Sequence, residues 1–182
     1  MNHDKIEEGI KLVLEGLGCK LTDQNFIDTP TRVAKVYRQM FASSEKGWNS
    51  FEETYSDMIL MKGHVIHTLC PHHLLPVLMK CSIAYRPNGN VIGLSKLCRV
   101  LQEVNKGPVL QEAFTNDAAH LLADLTGATD VACYVEGEHG CMRVRGVRTN
   151  ANVTTMKFLG AFENDKMADR FLRLVSYGNG RP

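Results

Sequence analysis

The stretch Thr68–Val77, TLCPHHLLPV, sets a thiol and two imidazoles within four residues and follows them at once with apolar side chains. Far along the chain, EGEHGCM supplies His139 and Cys141. Cysteine sulfur and histidine nitrogen are the ligands that zinc takes, with one coordination position left open when the metal is catalytic. Cys70, His72, His73, His139 and Cys141 are therefore a candidate metal and proton-transfer set, in a moderately specific pattern of Cys-x-x-His followed by His-x-Cys. Taken singly, each reads more simply as a buried thiol or a satisfied histidine. Two tight clusters at strand ends weaken that reading for the set. Cys19, Cys81, Cys98 and Cys133 stand without such neighbours and read as packing residues.

A second set of residues is basic. Lys96 and Arg99 follow Ser95 at the start of a helical segment, where backbone N–H groups and the helix dipole favour an anion. Arg143, Arg145 and Arg148 lie along CMRVRGVR, which reads as a strand, and strand alternation puts Arg143 and Arg145 on the face that carries Cys141. A basic row beside a metal suits a phosphorylated substrate; the alternative is a solvated strand face. Glu112, in LQEAF, reads either as a solvated helix residue or as a reader of guanine. A carboxylate can accept from the N1–H and exocyclic amine of that base, with Gln111 assisting.

These residues need elements to hold them. Ile6, Ile10, Val13, Leu14 and Leu17 fall at helical spacing, and Gly18 can end that helix. DTPTRVAKVYRQMF opens a second, with Asp28 or Thr29 as cap, Pro30 in the first turn, and an apolar stripe of Val33, Val36, Tyr37, Met40 and Phe41. The polar stretch SSEKGWNSFEE then separates a helical arm, residues 1–50, from a domain over 51–182. MILMKGHVIHTL and VLMKCSIAYRP read as strands, and PNGN as the turn before VIGLS. Two helices follow: SKLCRVLQEV, opened by Ser95, and VLQEAFTNDAAHLLADLTG, closed by Gly127. TDVACYVEGE and CMRVRGVR read as strands meeting at a His139–Gly140 turn, and NDKMADRFLRLV as a terminal helix. The order expected for this α+β domain is β-β-α-α-β-β behind a two-helix arm.

Composition narrows the classes. The 182 residues are 44% hydrophobic and 23% charged, ordinary for a globular chain, and a net charge of +1 gives no global attraction to nucleic acid or anionic membrane. No apolar run approaches the roughly 20 residues of a membrane-spanning helix. Acidic residues interrupt the N-terminus, which reads as no signal peptide, so a cytoplasmic protein with reduced cysteines is expected.

DTPTRVAKVY, CPHHLLPV, IAYRPNGNVIGLSKLCRV, LQEAFT and EHGCMRVRGVR stand together in one order and spacing, and with them the chain resembles the GTP cyclohydrolase I family over nearly its full length. Pro71 replaces a glutamate common in that family, and TNANVTTMKFLG stands where a run rich in serine and threonine is usual. The resemblance implies the tunnelling fold, an oligomeric β-barrel, and zinc held by Cys70, His73 and Cys141. It further implies His72 and His139 as proton-transfer residues, Glu112 with Gln111 as guanine reader, and Ser95, Lys96, Arg99 and Arg145 as ribose and triphosphate contacts. Arg32 and Lys35 match helix residues that reach the triphosphate of a neighbouring subunit's site, in a ring that is a decamer in the family. The implied activity is conversion of GTP to formate and 7,8-dihydroneopterin triphosphate. Two alternatives remain: a tunnelling-fold purine hydrolase that stops at a formamide or takes another nucleotide, and a non-catalytic nucleotide-binding relative. Retention of both histidines beside a full ligand set argues against the last.

Overall fold

The computed structural model describes residues 1–42, 47–52 and 57–177. The chain folds as two compact units, Met1–Ala42 and Ser43–Pro182. Part of the polar stretch expected to separate arm from domain, residues 43–46 and 53, lies outside the described residues.

The first unit is a helix pair. Helix α1, His3–Gly16, starts where the Asn2 side chain accepts from the Lys5 N–H, and the chain leaves it through Gly18 in the left-handed region, at φ +79°. Helix α2, Thr29–Met40, has Pro30 in its first turn, where a missing N–H costs nothing. Two helices share only one mutual face, so the expected apolar stripes are covered only in part. Leu14, Ala34 and Phe41 are buried, whereas Val13, Leu17 and Val36 are exposed.

In the second unit, short strands β1, Ser50–Glu52, and β4, Asn90–Ile92, pair with each other. The main sheet is antiparallel in the order β2-β3-β5-β6. Its members are β2 (Ile59–Leu69), β3 (Pro76–Tyr85), β5 (Val131–His139) and β6 (Val153–Leu159). Alternation along the strands builds two cores. Val77, Met79, Cys81, Ile83 and Tyr85 of β3 and Val131, Cys133 and Val135 of β5 face helices α3 (Leu94–Val104) and α4 (Gln111–Thr126), burying Leu97, Leu101, Phe114 and Leu122. The opposite face carries Ala84 and Ala132 against Phe162, Phe171 and Val175, the last two from α6, Asp165–Ser176.

The order β-β-α-α-β-β holds, but two local expectations do not. CMRVRGVR is not a strand: it forms a four-residue helical turn, α5, Gly140–Arg143, and then a loop. Gly146 at φ +60° and Arg148 at φ +48° lie in the left-handed region, which breaks an extended run, and Thr149 N–H closes the loop on the Met142 carbonyl at 3.0 Å. The fourth strand is supplied instead by VTTMKFL, whose β-branched residues pair from Val153 opposite Gly137 to Leu159 opposite Val131. Strand alternation therefore does not govern Arg143 and Arg145. The second correction concerns Ser95, which lies inside the first turn of α3 behind Gly93 as N-cap and does not cap the helix.

Candidate active site

Antiparallel register gathers the distant motifs. Leu69 at the end of β2 pairs with Pro76 at the start of β3, and Val77 pairs with His139 at the end of β5. The Cys70–Leu75 turn and the start of α5 thus emerge at one end of the sheet. The turn is tied by Cys70 N–H to the Leu75 carbonyl and Leu74 N–H to the Cys70 carbonyl, both 3.0 Å. Leu74 sits at φ +52°, a conformation that a branched side chain resists and that the surrounding turn imposes. Val109 N–H bonds the Leu69 carbonyl at 3.2 Å and brings the start of α4 to the same place.

Ligand-type atoms of Cys70, His73 and Cys141 all lie within 4.8 Å of one another. That spacing and donor set fit a metal ion with tetrahedral preference and bonds of about 2.0–2.3 Å, and two sulfurs exclude a calcium or magnesium site. The thiols are poised unequally. Burial pushes Cys70 up, but backbone N–H groups of Leu75 and His73, the Cys141 thiol and the His72 backbone together hold it below its ordinary value. Burial and the neighbouring Cys70 push Cys141 up. A divalent cation bound here would be held by both sulfurs as thiolates. His73 Nδ1 is 3.8 Å from Cys70 Sγ, and Arg145 Nη1 donates to His73 Nε2 at 2.6 Å.

Cys70, His72, Gln111, Glu112, His139 and Cys141 line one cavity of about 230 Å³. Glu112 is in the first turn of α4 and exposed. Burial pulls the His139 imidazole below its ordinary value, against the opposing pull of the Glu112 charge. His139 Nε2 lies 2.8 Å from Gln111 Oε1. Gln111 is itself buried, with Nε2 directed at Val135 O, Val153 O and Thr155 Oγ1. Sequence reasoning missed Thr155, Thr115 and the Val153 carbonyl as site support. The signal that could have found Thr155 and Val153 is the β-branched run of VTTMKFL, which marks a strand; Thr115 lies in α4, one helical turn after Gln111.

The basic residues are placed less uniformly. Arg143 pairs with Glu138 at 2.9 Å, and Arg148 is exposed in the loop. Ser95 is exposed and Arg99 half-buried at the start of α3, while Lys96 is buried with Nζ donating to the Gly47 carbonyl. In the arm, Lys35 is exposed and Arg32 pairs with Asp28 at 2.8 Å. All six cysteines are free thiols, with Cys81 and Cys133 fully buried and Cys19 and Cys98 half-buried. Among the described residues, no helix is long and apolar enough to cross a membrane.

The pattern that describes GTP cyclohydrolase I matches residues 6–176. A GTP cyclohydrolase 1 of Clostridium perfringens is 38% identical over 183 residues, covering 97% of this chain and 99% of that protein. A GTP cyclohydrolase 1 of Streptococcus pneumoniae is 37% identical over 182 residues, 96% of this chain and 99% of that one. A third, from Rhodopirellula baltica, is 39% identical over 167 residues, 88% of this chain and 73% of the relative. Among solved structures, the apo form of the archaeosine synthase QueF-Like aligns with a TM-score of 0.49 at 15% identity, over 60% of this chain and 98% of that chain. The chain belongs to the GTP cyclohydrolase I family.

Proposed function

We propose that the protein hydrolyses GTP at C8, releases that carbon as formate, and rearranges the remainder to 7,8-dihydroneopterin triphosphate. Membership of the family over nearly the whole chain supports the reaction. The observation that carries it to this site is one cavity uniting Cys70 and Cys141 of the metal-type cluster with His72, His139 and Glu112.

In this reading, Cys70, His73 and Cys141 hold a zinc ion, which when bound supplies a Lewis acid that makes an attacking water acidic near neutral pH. The protein's own groups do the rest. Glu112 accepts from the N1–H and exocyclic amine of guanine and fixes the base in the cavity. His139 and His72 donate to and withdraw from the purine and ribose; protonation at N7 makes C8 the more electrophilic, and imidazoles exchange protons near neutral pH. Two such groups suit a sequence in which several proton transfers follow ring opening. Ser95, Lys96, Arg99 and Arg145 hold the ribose and triphosphate. The assembly we propose is a ring-forming homo-oligomer of tunnelling-fold subunits, a decamer as the resemblance implies. In it Arg32 and Lys35 of one subunit serve the triphosphate of a neighbour. Among the described residues β2 and β6 are the edge strands of the sheet, which supports closure between subunits, since strand edges call for partners.

Incubation of the zinc-loaded protein with GTP, scored for formate and for fluorescent pterin after oxidation, tests the reading. Both products are expected in equal amounts. Formate without pterin would overturn the rearrangement. A formamide without formate would show a truncated reaction, and an unchanged nucleotide would leave a binding protein.

A further inference from the structure

A glutamine side chain offers one acceptor and two hydrogens, and its neighbours decide which end faces which way. Gln111 Nε2 lies 3.1 Å from Val135 O and 2.9 Å from Val153 O. Carbonyl oxygens only accept, so the amide nitrogen must face them. Two hydroxyls give the same answer independently. The Thr115 hydroxyl donates to the Gln111 main-chain carbonyl at 2.7 Å, which uses its one hydrogen. In the 2.6 Å contact between the two hydroxyls, Thr155 must then be the donor. Thr155 has no hydrogen left for an amide oxygen and accepts from Gln111 Nε2 at 3.1 Å, sharing one of the two amide hydrogens with a carbonyl. The bonds run in one direction around a closed ring, from the Gln111 amide through Thr155 and Thr115 to the carbonyl of Gln111 itself. Such rings polarise cooperatively and resist inversion.

With its nitrogen held this way, Gln111 presents Oε1 to His139 Nε2 at 2.8 Å. Amide oxygen cannot donate, so His139 Nε2 must carry the hydrogen. We infer that Gln111 is a positioning residue that locks His139 in its Nε2–H tautomer and leaves Nδ1 as the ring nitrogen without that hydrogen. The inference rests on the reading of His139 as a proton carrier, and it gives Gln111 a different task from guanine recognition. Both ends of its amide are engaged inside the protein. The selectivity for guanine then falls on Glu112 alone of the pair.

Solid-state nitrogen NMR of the zinc-loaded, histidine-labelled protein reads the tautomer directly, with His139 assigned by the signals lost in His139→Gln. The wild type is expected to show a protonated Nε2 and, in the neutral ring, an unprotonated Nδ1. Gln111→Met, similar in volume but without the acceptor, should lose the single tautomer and lower kcat by a factor on the order of 10–100, with KM for GTP little changed. Thr155→Val removes one link of the ring and should loosen the tautomer in the same direction, which keeps the test open if Gln111→Met does not fold. An unprotonated Nε2 in the wild type would overturn the inference whatever the variants do. So would a Gln111→Met protein with raised KM and unchanged kcat, the outcome of guanine reading. A wild type that holds the Nε2–H tautomer yet turns over no GTP would leave the lock standing and remove only the reaction assigned to the site.

Discussion

Cys70 and Cys141 illustrate how far residue types and spacing carry. A thiol beside two imidazoles, matched far away by His-x-Cys, is legible as a metal-type set, and the register of three strands brings its members together. Metal analysis should find one zinc per subunit, lost in Cys70→Ser and in Cys141→Ser; full retention in both would remove the ligand assignment. His72→Ala should keep the metal and lose turnover, because His72 lies in the cavity but outside the ligand cluster. Glu112→Ala should weaken GTP binding by roughly 10–100-fold, the scale of hydrogen bonds to a charged group, while ATP binding changes little. Equal loss for both nucleotides, measured by titration calorimetry, would assign Glu112 a structural role. The task of Gln111 is not legible in the sequence. It depends on carbonyls of Val135 and Val153, which approach only after two strands pair.

At the scale of elements, periodicity finds the long strands and the helices, and fails where local chemistry is mixed. CMRVRGVR alternates like a strand, yet Gly146 and Arg148 adopt left-handed φ values that end any extended run there. VTTMKFL is the converse: its threonines and lysine give it a polar look, and its strand character rests on β-branched content and on pairing with β5. Helix α6 covers the sheet face opposite α3 and α4, and Phe171 is its anchor, fully buried and edge-on to Phe158 and Phe162 at centroid distances of 5.9 Å. Phe171→Ala should cost about 3–5 kcal/mol, read as a lowered urea midpoint, since it removes a large ring from a closed contact. In β2, a bulge follows Met61, with Gly63 at φ +73°, and His64 Nε2 is buried with no hydrogen-bond partner among the described residues. Burial pulls His64 below its ordinary pKa, so the unfolded chain takes up a proton more readily than the folded one. Stability should therefore be full above the ordinary histidine range and fall as pH drops through it. In His64→Leu the melting temperature should vary less between neutral pH and pH of about 5, near and below the ordinary histidine pKa.

At the scale of the whole molecule, the proposed ring-forming oligomer answers to what one chain leaves open. The four-stranded sheet has β2 at one edge and β6 at the other, and the arm exposes Leu12, Val13, Leu17 and Val36. An oligomer that closes these edges builds equivalent sites at each boundary. If Arg32 serves a neighbour's triphosphate, Arg32→Ala and Cys141→Ser proteins, each inactive alone, should regain activity when co-assembled, because some boundaries then combine an intact arm with an intact metal cluster. Verified mixed rings without recovery would contradict a shared site. Assembly is the scale least legible in a single sequence, since exposed apolar residues and free strand edges emerge only once the chain is folded. The central claim, hydrolysis at C8 in the Cys70–His139–Glu112 cavity, is tested most directly with GTP carrying a carbon label at C8. The zinc-loaded wild type should release the label as formate in step with GTP consumption, and Cys141→Ser should release none. Label retained in the nucleotide product, or equal release by the Cys141→Ser protein, would contradict it.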